Sequence, residues 1–566
     1  MLRFILLLIL FPLRFLFFWY VKLRSIHRGL VLTITLKGNY SEAPLSHGLW
    51  AYLKPSKDRF YLLALDLAAA LHAAEQKKIR LKHVRVLLEE NDLGWAQAWE
   101  IRDLLQQFRQ LGIEVSAYLL VSDRTAVFIA SAATTTAAPE SAAFDFSPFT
   151  GESIFLQNLF SKVGVRPQFL SVGDFKSAAE IFTKTKMSPA ARKQTEELLS
   201  DIETTFVTAI EEKMKKKLAK SERTIQDTAS AKKLGFIDQT CSVSEFKDTP
   251  ETDALRSVDA YELSQIILRK NFRLFNFKKL KRVALVTAEG NIIESAQPRA
   301  GTINWADYAE VGETLKENDF AAMLLRVNSP GGSALVSQLL WREWMLSTGN
   351  IQSVVESEEK EDEKKKAIPI FVSQGNVAAS GGYYLSATAN RIFSTPLSIT
   401  GSIGVVGGKF NVTPLLQKLG VTTDRAPLKN PSPLFSPYSD FSKENKKALE
   451  KNMLSIYEQF LRDIAVGRRT TVKSIIPHAS GRVFSGQRAQ THALVDNLGG
   501  ITHTLRALRE ELKLKPSENI ELMILPAIKE SLFNRGALPM GLQRLLAWSD
   551  FSKFGVYTIE PRFLFL

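Results

Sequence analysis

The chain has 566 residues and a formal net charge of +14, with 45% hydrophobic and 23% charged residues. That length exceeds one ordinary core and implies two or more domains, and the composition excludes a disordered or fibrous chain. One cysteine, Cys241, excludes an intrachain disulfide, and the basic balance, with no nucleic-acid motif beside it, reads as a generally basic surface.

Residues 4–21 (FILLLILFPLRFLFFWYV) form an apolar run about long enough to cross a bilayer, interrupted by Pro12 and Arg14. No small-residue cleavage site follows, so residues 1–28 read as an uncleaved membrane anchor. Lys22, Arg24 and Arg28 outnumber Arg3, which by the positive-inside rule leaves the body on the cytoplasmic side.

From Leu30 the chain reads as two copies of one α/β unit. Strand-like Leu30–Leu36 in the first copy matches Val283–Thr287 in the second, each followed by a Gly-Asn turn. Val86–Asn91 matches Leu324–Asn328, and each leads through a glycine-containing turn into a helix; Trp95, Trp99 and Leu104 carry the helical spacing in the first. Phe160-Ser-Lys-Val-Gly-Val165 matches Leu416-Gln-Lys-Leu-Gly-Val421, an offset of 420 − 164 = 256 at the glycine. Between the second and third matches the second copy carries a charged run, Glu356–Lys366, that reads as a solvated loop.

A long lysine-rich helical segment is expected over Glu197–Lys233, with its counterpart over Lys443–Arg468. In the latter Leu449, Met453, Ile456, Phe460 and Ile464 form one apolar stripe for packing. The division is then an anchor over 1–28, a first repeat over 29–275, a second over 276–516 and an extension over 517–566. The extension ends in an aromatic segment, Val556–Leu566, that reads as an edge strand or a second membrane contact.

The chemistry centres on Asn376–Tyr384. A buried strand, Ala367–Val372, runs towards it and a helical pattern, Tyr384–Ala389, leaves it, so Ser380 stands at a strand-to-helix turn. Such a turn exposes a hydroxyl beside helix N–H groups that have no partner. On local grounds Ser380 reads equally as a nucleophile and as a helix cap.

Four segments, Gly173-Asp-Phe-Lys-Ser-Ala178, Arg326-Val-Asn-Ser-Pro-Gly-Gly-Ser333, Ala378-Ala-Ser-Gly-Gly-Tyr-Tyr384 and Thr400-Gly-Ser-Ile-Gly-Val405, stand in one order along the chain. They resemble signal peptide peptidase A (protease IV), a family of membrane-associated bacterial Ser/Lys peptidases, from about Leu30 to about Leu508. The resemblance implies a Clp-protease/crotonase-like fold, here a tandem α/β repeat of β-β-α units behind a membrane anchor. It implies Ser380 as nucleophile, Lys176 as base, Ser402 as the residue that orients the lysine, and the N–H groups of Gly332 and Gly381 as the oxyanion hole. It also implies apolar peptides and remnants of cleaved signal peptides as substrates, a homo-oligomer (a tetramer) and a bacterial inner-membrane enzyme. The body would then face the periplasm, opposite to the positive-inside reading.

Each repeat keeps one half of the pair. With the offset of 256, Ser380 falls on Arg124 and Lys176 on Ser432, the losses a single composite site leaves after duplication. The first repeat reads Asn91-Asp-Leu-Gly-Trp95 where the second has Asn328-Ser-Pro-Gly-Gly332, so its double glycine is gone as well. A serine needs an adjacent base, and lysine serves only when desolvation lowers its pKa. Phe175 and Ala178 offer such packing, whereas Asp174 and Glu180 would oppose it if they faced the amine.

A Ser-His-Asp triad is the rival mechanism, but nothing local ties His478, His492 or His503 to Ser380, and Gly-x-Ser-x-Gly is absent. An acyl-CoA enzyme that stabilises an enolate, or an inactive scaffold of the same fold, are the readings from other classes. With no P-loop, dinucleotide fingerprint or Cys/His cluster, no cofactor or metal is expected.

Overall fold

The computed structural model describes residues 29–43, 46–47, 58–248, 255–271, 280–295, 301–351, 367–424, 434–515, 518–526 and 528–529. The apolar run 4–21, the charged loop 356–366, Ser432 and the aromatic end 556–566 lie outside these residues.

The first repeat opens with β1 (Leu30–Gly38), α1 (Phe60–Glu75), β2 (Leu81–Asn91), α2 (Trp95–Gln110), β3 (Glu114–Leu119) and α3 (Arg124–Ala130). It continues with β4 (Thr135–Ala138), α4 (Gln157–Val163), β5 (Arg166–Val172), α5 (Pro189–Met214), β6 (Gln239–Thr240), β7 (Arg256–Val258) and α6 (Ala260–Asn271). Six strands form one parallel sheet in the order β7-β1-β2-β3-β4-β6.

The second repeat runs β8 (Lys281–Glu289), β9 (Asn291–Ile293), β10 (Thr302–Asn304), α7 (Trp305–Glu317), β11 (Ala322–Ser329), α8 (Ala334–Ser347), β12 (Ile370–Ala379) and α9 (Gly381–Ser386). After these come β13 (Arg391–Ser394), β14 (Ile399–Gly401), β15 (Val405–Asn411), α10 (Thr413–Lys418) and α11 (Lys443–Gly467). Last are β16 (Val483–Ser485), α12 (Gly486–Thr491), β17 (Asn497–Leu498), α13 (Ile501–Glu511) and β18 (Ile520–Leu525). Its sheet has the order β16-β14-β12-β11-β8-β18, with β13 also on β12 and β17 on β13; only the β14–β16 pair is antiparallel.

The two sheets share an architecture, an α/β tandem repeat. In each, the first strand lies between the second and a late strand: β7 pairs with β1, and β18 pairs with β8. The second sheet therefore reaches into the segment beyond residue 517. The expected helix over 197–233 is shorter and starts earlier: α5 stops at Met214 because Lys215 turns left-handed at φ 56°, and a separate short helix covers Thr228–Lys233. Its counterpart α11 matches expectation, with Leu449, Met453, Phe460 and Ile464 buried.

Parallel strands need cover on both faces, and here the alternation is legible residue by residue. Val283 and Leu285 of β8 face a core shared with the first repeat, while Ala284, Val286 and Ala288 face the second repeat's own core. Ile501, Leu505 and Leu508 of α13 enter the shared core together with α1. The repeats thus fuse through apolar packing, and the active-site elements lie along the seam.

Candidate active site

Ser380 is placed by sheet register. Strand β12 pairs with β14 at Val377↔Ile399, Ala378↔Thr400 and Ala379↔Gly401, so one step further Ser380 comes beside Ser402. The Ser380 N–H donates to the Gly401 carbonyl at 2.8 Å, and the Ser402 N–H to the Arg482 carbonyl at 2.7 Å. Both serines are left-handed, at φ 55° and φ 54°, a conformation that costs energy in any residue with a Cβ and gathers where geometry is functional. Ser380 caps α9 by position, but its side chain makes no capping bond, so Oγ is not tied to the helix backbone.

Lys176 arrives from the first repeat. Strand β5 pairs antiparallel with β15, Val172 opposite Val405, so the lysine four residues after Val172 meets the serine three residues before Val405. Lys176 Nζ lies 3.0 Å from Ser380 Oγ, 3.0 Å from Ser402 Oγ and 3.0 Å from the Ser402 carbonyl oxygen. An ammonium has three protons, one for each. Once one is lost, two N–H groups still hold Ser402 and the lone pair faces Ser380.

The lysine is buried, and burial alone lowers its pKa from 10.5 to about 8. Glu180 turns elsewhere, accepting from Lys184 Nζ and the Ser188 N–H, so it does not hold the charge on Lys176. The wall over the lysine is the Ala479–Arg482 turn. A Cβ on Gly481, at φ 77°, would fall 2.6 Å from Lys176 Cβ, so only glycine lets that backbone seal the site.

The Asn328–Gly332 turn packs against Ser380 and Gly381. A Cβ built on Gly331 would lie 2.6 Å from the Gly381 nitrogen. The Ile292 N–H donates to the Gly331 carbonyl, and the Ser333 N–H to the Ile292 carbonyl, so strand alternation turns the Gly332 N–H away from β9. At φ 147° a Cβ on Gly332 would sit 2.0 Å from the Ile292 oxygen. Among the described residues neither the Gly332 N–H nor the Gly381 N–H has a backbone acceptor. Two donors without a backbone acceptor, beside a hydroxyl held by a desolvated amine, can carry out acyl transfer.

Among the described residues no hydrogen bond ties the rival histidines to Ser380 or Lys176. His478 and His492 stack on each other with centroids 4.3 Å apart, and His503 packs on Trp99 with Nε2 3.6 Å from Asp103. Neither their bonds nor any cluster of metal-type ligands among the described residues reaches Ser380. In the first repeat the residue that stands where Ser380 stands is Asp123, the cap of α3, an offset of 380 − 123 = 257. The offset of 256, which put Arg124 there, slips by one at this turn. Arg124 instead pairs with Asp145 and lies over the Phe149 ring.

Sequence reasoning missed what stands behind the site. Arg326 is fully buried and donates to Glu42 and Glu100 of the first repeat at 2.6 and 2.7 Å. Glu100 also accepts from the Ile501 N–H at the start of α13. An arginine inside an otherwise apolar strand was the available signal, since such a charge is almost never buried unpaired.

The sequence model of peptidase family S49 matches residues 107–254 and 362–515, which are 148 + 154 = 302 of 566 residues. The serine protease SPPA of Arabidopsis thaliana chloroplasts is 25% identical over 547 residues, covering 92% of this chain and 76% of that protein. Protease 4 of Haemophilus influenzae is 27% identical over 431 residues, 71% of this chain and 65% of that protein. Protease 4 of Salmonella typhi is 26% identical over 471 residues, 78% and 72% respectively.

Proposed function

This chain belongs to peptidase family S49 and is a serine-type peptidase, and from that premise we propose a membrane-anchored Ser/Lys endopeptidase that degrades cleaved signal peptides and other short apolar peptides. The observation that carries the mechanism is the contact of Lys176 Nζ with Ser380 Oγ at 3.0 Å, made by an amine whose pKa burial brings to about 8.

Neutral Lys176 takes the Ser380 proton as Oγ attacks the scissile carbonyl. The carbonyl oxygen, now an oxyanion, accepts from the N–H groups of Gly332 and Gly381. Lys176, now charged, gives its proton to the leaving amine, and the acyl group stays on Ser380. Water then attacks the ester with Lys176 again as base, and the carboxylate product leaves. Ser402 holds the amine in line throughout. An enolate-stabilising site would need the paired N–H groups and a base but has no use for a nucleophilic serine held against that base.

The substrate class and the anchor rest on the apolar run 4–21 and the family resemblance. No helix among the described residues is long and apolar enough to cross a membrane. A Clp-protease/crotonase-like repeat, a homo-oligomer and a periplasmic body on a bacterial inner membrane belong to the same proposal. The test is turnover of a synthetic apolar peptide of signal-sequence composition by the full chain in detergent. Wild type should cleave it and Ser380→Ala should not. Cleavage of casein without cleavage of that peptide would remove the substrate class, and turnover by Ser380→Ala would remove the mechanism.

A further inference from the structure

Strand β12 does not run evenly to the nucleophile. Its register on β11 goes from Val327↔Gln374 to Ser329↔Ala378, so 329 − 327 = 2 steps on one strand meet 378 − 374 = 4 on the other. The surplus is a bulge at Gly375–Val377, immediately before Ala378-Ala379-Ser380. Bulges bend a strand and re-aim the side chains that follow. Here the segment that follows carries Ser380.

Part of what holds the bulge comes from the other repeat. The Asn376 side chain projects into the start of α2, where Oδ1 accepts from the Ala96 N–H at 3.1 Å and the Gln97 N–H at 3.3 Å. Its Nδ2 donates to Gln97 Oε1 at 2.9 Å. These are the bonds an N-cap side chain makes, and the residue at the cap of α2, Gly94, has no side chain to make them. Asn376 therefore caps a helix of the first repeat from within the second. Within its own repeat, Asn328 Oδ1 accepts from the Val377 N–H at 3.1 Å and Arg326 donates to the Gln374 carbonyl at 3.4 Å.

Gly94 is what admits this arrangement. A Cβ there would lie 2.4 Å from Cγ, Oδ1 and Nδ2 of Asn376, while its φ of −75° would suit any residue. The glycine is required by the asparagine and by nothing in its own backbone.

We infer that Asn376 is a positioning residue for Ser380, a side chain through which the lysine-bearing repeat fixes the direction of the nucleophile. This rests on Ser380 being the nucleophile. The seam then carries two links to one reaction. Lys176 supplies the base, and the start of α2 aims the serine.

The experiment is a double-mutant cycle on the full chain, with kcat and KM for a fluorogenic peptide referred to the amount of Ser380 titrated to completion by a serine-reactive acylating probe. Asn376→Ala should lower kcat by about 10- to 100-fold, the scale of a misplacement of about 1 Å, with KM within about threefold. Gly94→Ala should lower kcat similarly in the wild-type background and cost nothing further beside Asn376→Ala. Asn376→Asp keeps the acceptor oxygen and should recover most of the rate, whereas Asn376→Gln places it one methylene too deep and should not. If Asn376→Ala fails to fold, the Asp and Gln variants decide. Equal kcat per titrated site in Asn376→Ala and wild type, additive effects of Gly94→Ala and Asn376→Ala, or Asp and Gln variants that behave alike would overturn the inference. Full activity in Ser380→Ala would instead overturn the mechanism beneath it.

Discussion

Raising the pH from 7 to 9 should increase kcat/KM about tenfold, because the base is a lysine that burial brings to a pKa of about 8. The sign follows from the chemistry: the ammonium has no lone pair for the Ser380 proton, so activity is lost as pH falls. At pH 7 a lysine at about 8 is ~10% neutral, whereas one at its ordinary 10.5 would be ~0.03% neutral, so desolvation contributes roughly 300-fold in competent enzyme. The assay is kcat/KM for a fluorogenic peptide from pH 5.5 to 9.5 at constant ionic strength, with unit slope expected below pH 8. Lys176→Arg should be as inactive as Lys176→Ala over the whole range, since guanidinium keeps its proton. A wild-type profile flat from about pH 6 upward would exclude a lysine base and return the role to a histidine.

The same burial has a cost in stability. Below about pH 8 the folded chain bears a charged, desolvated Lys176, and that penalty shrinks as pH rises from 8 towards 10.5, so Lys176→Met should stabilise the protein at pH 7 by up to about 3 kcal/mol. Calorimetry at pH 7 and pH 10 checks it, and a less stable Met variant at pH 7 would count against it. Ser402→Ala removes one of the three oxygens around Nζ and leaves the carbonyl, so kcat should fall about 10- to 100-fold without loss of fold, by analogy with residues that orient metal ligands. Arg326→Met leaves Glu42 and Glu100 buried without their cation and should destabilise by about 3–5 kcal/mol in denaturant titration. Removal of residues 1–28, which end before β1, should give an active enzyme that no longer sediments with membranes; continued sedimentation would place a second anchor in the body or the C-terminal segment.

Local pattern carried much of the fold. The first strand of each repeat and the stripe on α11 were legible because cover on both faces makes a parallel strand a near-continuous apolar run and burial imposes a period of 3.6 on a helix. Strand β8 begins at Lys281, two residues before the expected Val283. The four glycine- and serine-rich segments were legible because left-handed backbone and close approach leave few residues to choose from. What stayed hidden is pairing across the seam. Asn376 and Gln97 are 279 residues apart, and Glu42 and Arg326 are 284 apart, and such contacts leave no local trace. The slip that put Arg124 in place of Asp123 has the same origin. One offset measured at Gly164 and Gly420 cannot register a single-residue change in the turn before α3. The edge strand β18 went unread because six residues between loops have no period to distinguish them, and the sheet recruits them only through β8.

One reaction built across two repeats requires that acylation of Ser380 depend on Lys176. Full-length protein would be treated with a serine-reactive acylating probe and the adduct located by mass spectrometry, in wild type and in Lys176→Ala, across pH. A single adduct on Ser380 is predicted, forming faster as pH rises through about 8 and at least ~100-fold more slowly without Lys176. An adduct on another serine, or equal rates with and without Lys176, would mean that the two repeats do not share one reaction.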